Sequence, residues 1–152
     1  MKIRSAKIDD CDAITSLYKQ LYDTEKAFDD NLINEYIIDD KQLKSIRKKI
    51  KSRKEIFLVA EMDQKIVGVI DGYIIDSIHY KEKVSFLEHL CVDKKYRKKR
   101  IATELIQEFS NKSKEKGATY IKLYAFEKNS NAIKLYNKLG FVESTILYNK
   151  KI

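Results

Sequence analysis

The spacing of apolar side chains predicts that the chain begins with a strand and two helices. Residues 2–8 alternate between apolar and polar positions, as a strand with one buried face does. Apolar residues then recur at helical spacing over 13–22, and Asp9 or Asp10 precedes them where a capping residue belongs. A second helix is predicted over about 39–53, because apolar residues recur there every three or four positions.

The middle of the chain predicts three consecutive strands. Residues 56–60 form a nearly unbroken apolar run, which is typical of a buried strand. A polar turn separates this run from the long β-branched segment 66–75, so the two are predicted to form a hairpin. A third strand is predicted over 83–92.

The last third of the chain predicts two further helices and two further strands. A helix over about 100–116 ends before Gly117, a residue suited to close it. A strand over 120–125, a helix over about 130–139 and a final strand over 141–148 follow. The order is β-α-α-β-β-β-α-β-α-β. Because three strands are consecutive, the predicted fold class is α+β, a mixed α/β sheet rather than a regular βαβ repeat.

Composition adds that this is one globular domain. The chain has 152 residues without proline, and no repeat or low-complexity linker divides it, so we expect a single domain over 1–152. No run approaches the roughly 20 apolar residues that cross a bilayer, and the N-terminus lacks the apolar core of a signal peptide. Cys11 and Cys91 have no metal-ligand spacing. We therefore expect a cytoplasmic protein with no metal and no membrane partner.

Charge is distributed unevenly along the chain. Residues 23–40 hold seven acidic residues and one basic residue, whereas residues 41–54 hold eight basic residues and no acidic one. Residues 94–100 are basic at six of seven positions. Such runs are most often solvated faces, so they bear on function only where the fold places them beside a site.

The basic run 94–100 joins a predicted strand to a predicted helix. The first backbone N–H groups of a helix have no partner within the helix and carry partial positive charge, so they attract anions. Lysine and arginine side chains beside them strengthen such a site for phosphate groups. The residues alone therefore predict a phosphate-bearing ligand at this junction.

Two segments together resemble the GNAT superfamily of N-acetyltransferases. The loop resembles the superfamily pattern R/Q-x-x-G-x-G/A, with Arg97 first and Ala102 last, although Arg100 stands where the pattern has its central glycine. The second segment matches all six named positions of N-x-x-A-x-x-x-Y-x-K-x-G-F: Asn129, Ala132, Tyr136, Lys138, Gly140 and Phe141. The resemblance covers nearly the whole chain, and it implies a mostly antiparallel central sheet flanked by helices.

The resemblance implies acetyl-CoA as the co-substrate. Its pantetheine arm would pair with the backbone of the strand before the loop, and its pyrophosphate would lie on the loop and the helix start. The residues implied in cofactor binding are Leu90, Cys91, Val92, Arg97, Lys98, Lys99, Arg100, Ile101, Ala102, Thr103 and Asn129. We expect Arg100 to adopt helical dihedral angles without strain, and Asn129 is equally explained as a helix cap.

The same resemblance implies direct attack of an amine on the thioester, with Tyr136 as the general acid. Glu88 is the candidate general base, and an outward-facing sheet residue is the equal alternative. His89 is the second candidate for the base. By strand alternation it should lie on the opposite face from Glu88, so that at most one of the two faces the cleft. Cys91 as a nucleophile and His79 as a participant are the less favoured readings.

The superfamily places the segment between the first two helices beside the acceptor. The acidic residues of 23–40 would then favour a cationic amine, with Tyr22, Phe28 and Tyr36 packing against its apolar parts. Two alternatives stay open: a GNAT-fold protein that binds CoA without turnover, and a basic nucleic-acid-binding module. The second is disfavoured, because the basic segment 41–54 has no interleaved aromatic residues for stacking. Superfamily members often dimerise through their last strands, so a homodimer is a further expectation.

Overall fold

The computed structural model describes residues 1–32, 39–76, 78–150 and 152. Its helices and strands follow the order that the apolar pattern predicts up to α4, and their boundaries differ from the predicted ones by no more than three residues. The strands are β1 Lys2–Ser5, β2 Glu55–Met62, β3 Lys65–Ile75, β4 Val84–Val92 and β5 Tyr120–Leu123. The helices are α1 Cys11–Glu25, α2 Asp40–Lys51, α3 Ile101–Glu115 and α4 Ser130–Lys138.

The five strands form one sheet in the order β1-β2-β3-β4-β5. The first four strands pair antiparallel with their neighbours, and β5 pairs parallel with β4. The parallel pair is joined by α3, as a crossover connection requires. The predicted fold class, a mixed α/β sheet that is mostly antiparallel and flanked by helices, is confirmed.

The two faces of the sheet are buried by different helices. Alternate residues of β2 show this division, since Phe57 and Val59 pack with α1 and α2 whereas Ile56 and Leu58 pack with α3. The side chain of Phe109 in α3 is completely buried in the second cluster. None of the helices in the described part of the chain combines the length and hydropathy that a membrane crossing requires.

The predicted final strand over 141–148 is wrong. These residues have no regular secondary structure, and the apolar side chains of Val142, Ile146, Leu147 and Tyr148 are 75–86% exposed. A β-branched and aromatic sequence becomes a strand only where a neighbouring strand accepts its hydrogen bonds. The ladders of the sheet pair β5 with β4 alone within the described ranges, so the tail has no such partner there.

The ladder between β3 and β4 contains a β-bulge. Asp71 pairs with His89, but the next residue of β3, Gly72, pairs with Leu87, so Glu88 is the extra residue of β4. A Cβ atom on Gly72 would lie 2.1 Å from the carbonyl oxygen of Phe86. The close approach of the two strands beside the bulge therefore requires glycine at this position.

Candidate active site

The end of β4 has a free edge. The parallel ladder between β4 and β5 stops at the pair Leu87 and Leu123. Beyond it, β4 stays paired with β3 on one edge and has no strand on the other within the described ranges. Three residues of the predicted cofactor site lie on this part of β4: Leu90, Cys91 and Val92.

The free edge leads into the first turn of α3, where backbone donors are available. The first hydrogen bond of the helix runs from Glu104 N–H to the Arg100 carbonyl at 3.1 Å, so the three preceding amides have no acceptor in that ladder. These amides belong to Ile101, Ala102 and Thr103. The basic side chains of Arg97, Lys98, Lys99 and Arg100 are exposed around them. The arrangement offers donors and positive charge to an anion, as the sequence predicts.

One loop side chain already contacts the free edge. The guanidinium Nε of Arg97 donates to the carbonyl of Val92 at 3.2 Å, which ties the loop back to the end of β4. The ammonium of Lys99 lies over the ring of Tyr96, 5.3 Å from its centroid. The loop is therefore ordered by its own contacts rather than left as a loose basic segment.

The expectation that Arg100 adopts helical dihedral angles is wrong. Arg100 is the N-cap residue of α3 and has φ 63° and ψ 6°, in the left-handed region. Lys98 also has a positive φ, of 62°. The chain reverses direction between β4 and α3 within this loop, and the residue that makes the reversal lies before the helix rather than inside it. Left-handed geometry costs a non-glycine residue about 1–2 kcal/mol.

We expect Arg100→Gly to raise the free energy of unfolding by roughly 0.5–1 kcal/mol, because relief of left-handed strain exceeds the entropy that glycine adds to the unfolded chain. Lys99→Gly is the matched control, since Lys99 has no positive φ. It should lower the free energy of unfolding by roughly 0.5–1 kcal/mol. Urea unfolding of both variants measures the difference. Equal destabilisation by the two substitutions would contradict the left-handed conformation of Arg100.

The bulge in β4 places Glu88 and His89 together. One carboxylate oxygen of Asp71, one carboxylate oxygen of Glu88 and one ring nitrogen of His89 all lie within 4.8 Å of one another. The expectation that Glu88 and His89 face opposite sides of the sheet is therefore wrong. Alternation of side chains holds along a regular strand, and the extra residue of a bulge interrupts it.

Asp71 is the buried centre of this cluster. Its side chain is 0% exposed, so its charge requires partners. One carboxylate oxygen accepts from the Tyr18 hydroxyl at 2.7 Å and lies 2.9 Å from Nδ1 of His89. The other accepts from the Lys49 ammonium at 3.3 Å. Lys49 also donates to Glu88, whose side chain is 36% exposed. The chain thus supplies its own cation between two carboxylates.

The contacts of Asp71 favour the charged forms of His89 and Lys49. Burial alone would raise the pKa of Asp71, but the hydrogen bonds from His89 and Tyr18 and the charges of His89 and Lys49 together outweigh it, and the pKa is lowered. Burial would likewise lower the pKa of His89, yet the hydrogen bond and charge of Asp71 raise it above the usual histidine range. The pKa of Lys49 is raised in the same way, against its burial, chiefly by Asp71 and Glu88.

Tyr136, the predicted general acid, lies on α4 and packs into the cluster beneath α3. Its ring meets Phe141 edge to face, with centroids 5.6 Å apart. Burial, with a smaller contribution from the charge of Glu25, raises the pKa of its hydroxyl to about 12. The phenol therefore stays protonated through the neutral pH range.

The acidic segment after α1 reaches this region. Burial raises the pKa of Glu25, whose carboxylate interacts electrostatically with both His89 and Tyr136. The ring of Phe28 lies 6.0 Å from that of Phe126 in the loop after β5. The start of the acidic run 23–40 therefore lies near the divergence of β4 and β5. Residues 33–38 of the acidic run, which include Tyr36 of the acceptor prediction, lie outside the described residues.

The other predicted residues have clear structural roles. Asn129 caps α4, since its side chain accepts from Ala132 N–H at 3.2 Å. Cys91 is buried and its thiol donates to the Leu17 carbonyl. Burial raises the pKa of this thiol to about 12, which disfavours the thiolate that a nucleophile needs. The capping role explains why asparagine stands at position 129, and the predicted contact of Asn129 with the cofactor stays a prediction.

The sequence interpretation missed Asp71 and Lys49, and it included Glu25 only as one member of the acidic run 23–40. Asp71 interrupts a β-branched strand, and an acid at such a position signals a buried charge that must be paired. Lys49 follows Ile46 by three positions, which places it beside the apolar face of α2 rather than on its basic back. Both signals are readable in the sequence. Glu25 gives none, because one acid within an acidic run is not distinguished from its neighbours.

The family follows from comparison with known proteins. The sequence model of the acetyltransferase (GNAT) family matches residues 15–141, which is most of the chain. The chain belongs to the GNAT family. Its loop before α3 and its α4 segment, which carry the resemblance, both lie inside the matched region.

Individual relatives agree with this assignment. An uncharacterized N-acetyltransferase of Methanocaldococcus jannaschii is 30% identical over 148 residues, covering 95% of this GNAT chain and 62% of the relative. A probable N-acetyltransferase, camello, of Xenopus laevis is 32% identical over 90 residues, covering 59% of this chain and 40% of the relative. The chain thus spans less than two thirds of the length of either curated relative.

Solved structures share the fold of this GNAT domain. A mutant protein of Bacillus halodurans superposes with a TM-score of 0.90 at 17% identity, covering 100% of this chain and 99% of the other. An aminoglycoside acetyltransferase from an uncultured soil metagenomic sample, in complex with sisomicin, superposes with a TM-score of 0.76 at 19% identity, covering 99% and 95%. At these identities the likeness establishes the fold alone.

Proposed function

We propose that this GNAT protein transfers an acetyl group from acetyl-CoA to a primary amine of a cationic acceptor, by direct attack within a ternary complex. The observation that supports the proposal is a continuous path along β4, which joins the loop before α3 to a cluster of titratable side chains. The free edge of β4 leads at one end to the unpaired amides of α3 and at the other to a cluster of carboxylates around Lys49 and His89.

The first half of that path fits coenzyme A. The amides and basic side chains between Arg97 and Thr103 would hold its pyrophosphate. The backbone of residues 90–92 would pair with its pantetheine arm. Acetyl-CoA supplies an activated thioester carbonyl to this edge. A backbone donor at the free edge would stabilise the negative charge that forms on the carbonyl oxygen.

The second half of that path, the cluster around Lys49 and His89, contains groups suited to proton transfer. The acceptor's ammonium must lose one proton before its nitrogen can attack, and the departing sulfur must gain one. Tyr136 would give its hydroxyl proton to the sulfur as the C–S bond breaks, and it would regain a proton from the newly bonded nitrogen. Glu88 and His89 of β4 are the two candidates to take the first proton.

Charge favours a cationic acceptor. Three carboxylates, those of Glu55, Asp71 and Glu88, share a single lysine, since Lys49 interacts with all of them. One oxygen of Glu55 is buried without a hydrogen-bond partner among the described residues, and burial raises the pKa of this carboxyl. Glu25 adds a fourth carboxylate on the acceptor side. A ligand that carries ammonium groups would satisfy this excess of negative charge.

Two measurements test the proposal in sequence. Titration calorimetry with acetyl-CoA should give a binding heat, and a mixed-sequence oligonucleotide should give none. Release of the CoA thiol should then be followed with spermidine, an aminoglycoside and glutamate as acceptors. We expect the two polycations to be acetylated faster than glutamate.

The outcomes separate the alternatives. Binding without turnover of any amine would favour a protein that binds CoA as a sensor. Binding of the oligonucleotide alone would favour the nucleic-acid module. Faster turnover of glutamate would overturn the cationic acceptor while leaving the acetyl transfer in place.

A further inference from the structure

The bulge in β4 creates a histidine–aspartate pair that faces the acceptor side of the site. Nδ1 of His89 lies 2.9 Å from a carboxylate oxygen of Asp71. An ionised carboxylate only accepts hydrogen bonds, so Nδ1 must carry a proton, and in the neutral imidazole Nε2 is then left with a lone pair that can accept one. The tautomer of His89 is therefore fixed by the fold.

The pair divides into an accessible member and an inaccessible one. The His89 side chain is 22% exposed, whereas Asp71 is 0% exposed. The ring of His89 also packs on Tyr18, with centroids 4.8 Å apart, and Tyr18 donates to the same oxygen of Asp71. Part of the histidine surface is exposed and none of the aspartate surface is, so the aspartate can act on an acceptor only through the histidine.

We propose that His89, oriented by Asp71, is the general base that takes the proton from the acceptor's ammonium. This inference rests on the proposed acetyl transfer and specifies one step of it. Asp71 is a positioning residue, and Glu88 acts on His89 through its charge. The carboxylate of Glu88 already accepts a hydrogen bond from the Lys49 ammonium, so it is paired with a positive charge.

Nε2 of His89 accepts one proton from the ammonium, which gives an imidazolium and a neutral amine. The amine's lone pair forms the C–N bond to the thioester carbonyl carbon, and the C–S bond breaks with its electron pair on sulfur. The second nitrogen proton reaches the sulfur through Tyr136. The imidazolium then releases its proton to solvent, so each turnover yields an amide, a thiol and one proton.

The charged groups around His89 predict signed effects on its titration. The titratable groups that interact with it or with its partners are Tyr18, Tyr22 and Glu25 from α1, Lys49 from α2, Glu55 from β2, Asp71 and Tyr73 from β3 and Glu88 beside it on β4. The charges of Asp71 and Glu88 raise the pKa of His89, whereas the charge of Lys49 lowers it. Asp71→Asn and Glu88→Gln should therefore lower this pKa, and Lys49→Gln should raise it.

The first experiment is an NMR titration of the imidazole signals. The chain has two histidines, so His79→Gln leaves the signal of His89 alone and assigns it. We expect His89 to titrate above the ordinary value of about 6.5. The signal should move to lower pH in Asp71→Asn and Glu88→Gln, and to higher pH in Lys49→Gln. A role in packing alone would not produce opposite shifts from opposite charges.

The second experiment is the pH profile of kcat/KM with acetyl-CoA and the fastest amine of the panel above. His89→Gln should lower kcat/KM about 100-fold, which is the size of a lost general base. Glu88→Gln should lower kcat/KM less than His89→Gln does, and it should shift the rising limb of the profile to lower pH, because the charge of Glu88 raises the pKa of His89. The acceptor's own pKa is the same for every variant, so it cannot produce the differences between them.

Each outcome of these experiments supports or overturns the role of His89 as the base. Loss of activity in Glu88→Gln with activity retained in His89→Gln would overturn the inference, as would a His89 signal that does not respond to Asp71→Asn. Lys49→Gln and Glu88→Gln provide the same test if Asp71→Asn does not fold. Absence of an acetyl-CoA binding heat would overturn the proposed function as a whole, whereas an intact heat with an unshifted His89 would overturn only the histidine–aspartate pair.

Discussion

Tyr136→Phe should lower kcat about 100-fold or more while leaving the affinity for acetyl-CoA within twofold, because the substitution removes only the proton that the departing sulfur needs. The ring remains, so its contact with Phe141 and its place in the cluster beneath α3 are kept. A general acid that acts only as the C–S bond breaks contributes to the transition state and not to binding. Calorimetry measures the affinity, and thiol release measures kcat.

The matched control is Tyr124→Phe. Tyr124 is 75% exposed and follows β5, so it also lies near the divergence of β4 and β5 without being buried there. Its hydroxyl should contribute less than a twofold change in kcat. Equal losses in the two variants, or a loss of acetyl-CoA binding in Tyr136→Phe, would remove the role of Tyr136 as an acid.

Local patterns predicted most of the fold. Gly117 has φ 81°, as expected for the residue that closes α3, and the hairpin of β2 and β3 turns at 63–64 as the polar residues there indicate. The tail after Phe141 shows where such patterns stop. Its apolar residues have strand propensity, but strand formation depends on a partner elsewhere, and propensity carries no information about that partner.

The part of the site formed by residues adjacent in sequence could be predicted. The part that depends on how two strands are paired could not. The basic loop before α3 is contiguous in sequence, so its anion-binding character is readable from residue types alone. The grouping of Glu88 with His89 depends on a bulge, and the bulge depends on how Gly72 meets β4. Alternation along one strand cannot reveal a register shift that the neighbouring strand imposes.

Gly72→Ala should lower the free energy of unfolding by about 3 kcal/mol, at the upper end of the range for overpacked cores. The added Cβ would lie 2.1 Å from the Phe86 carbonyl oxygen and 2.9 Å from the ring of Phe109. The first of these contacts is with backbone in a paired strand, so relief requires β3 and β4 to separate beside the bulge. Separation would also disturb the pairing of Asp71 with His89, because that pair adjoins Gly72 in the ladder.

Gly68→Ala in the same strand is the control for the loss of glycine itself. Its Cβ would lie 3.1 and 3.2 Å from side-chain atoms of Leu105 and Ile101 and 3.3 Å from the carbonyl oxygen of Cys91, so each of these contacts is longer than the 2.1 Å contact at Gly72. The expected cost is about 1 kcal/mol. Urea unfolding compares the two variants, and the His89 imidazole signal should move in Gly72→Ala and not in Gly68→Ala. Equal stability of the two variants would show that the bulge tolerates a side chain, and the physical link between Gly72 and the histidine–aspartate pair would then be lost.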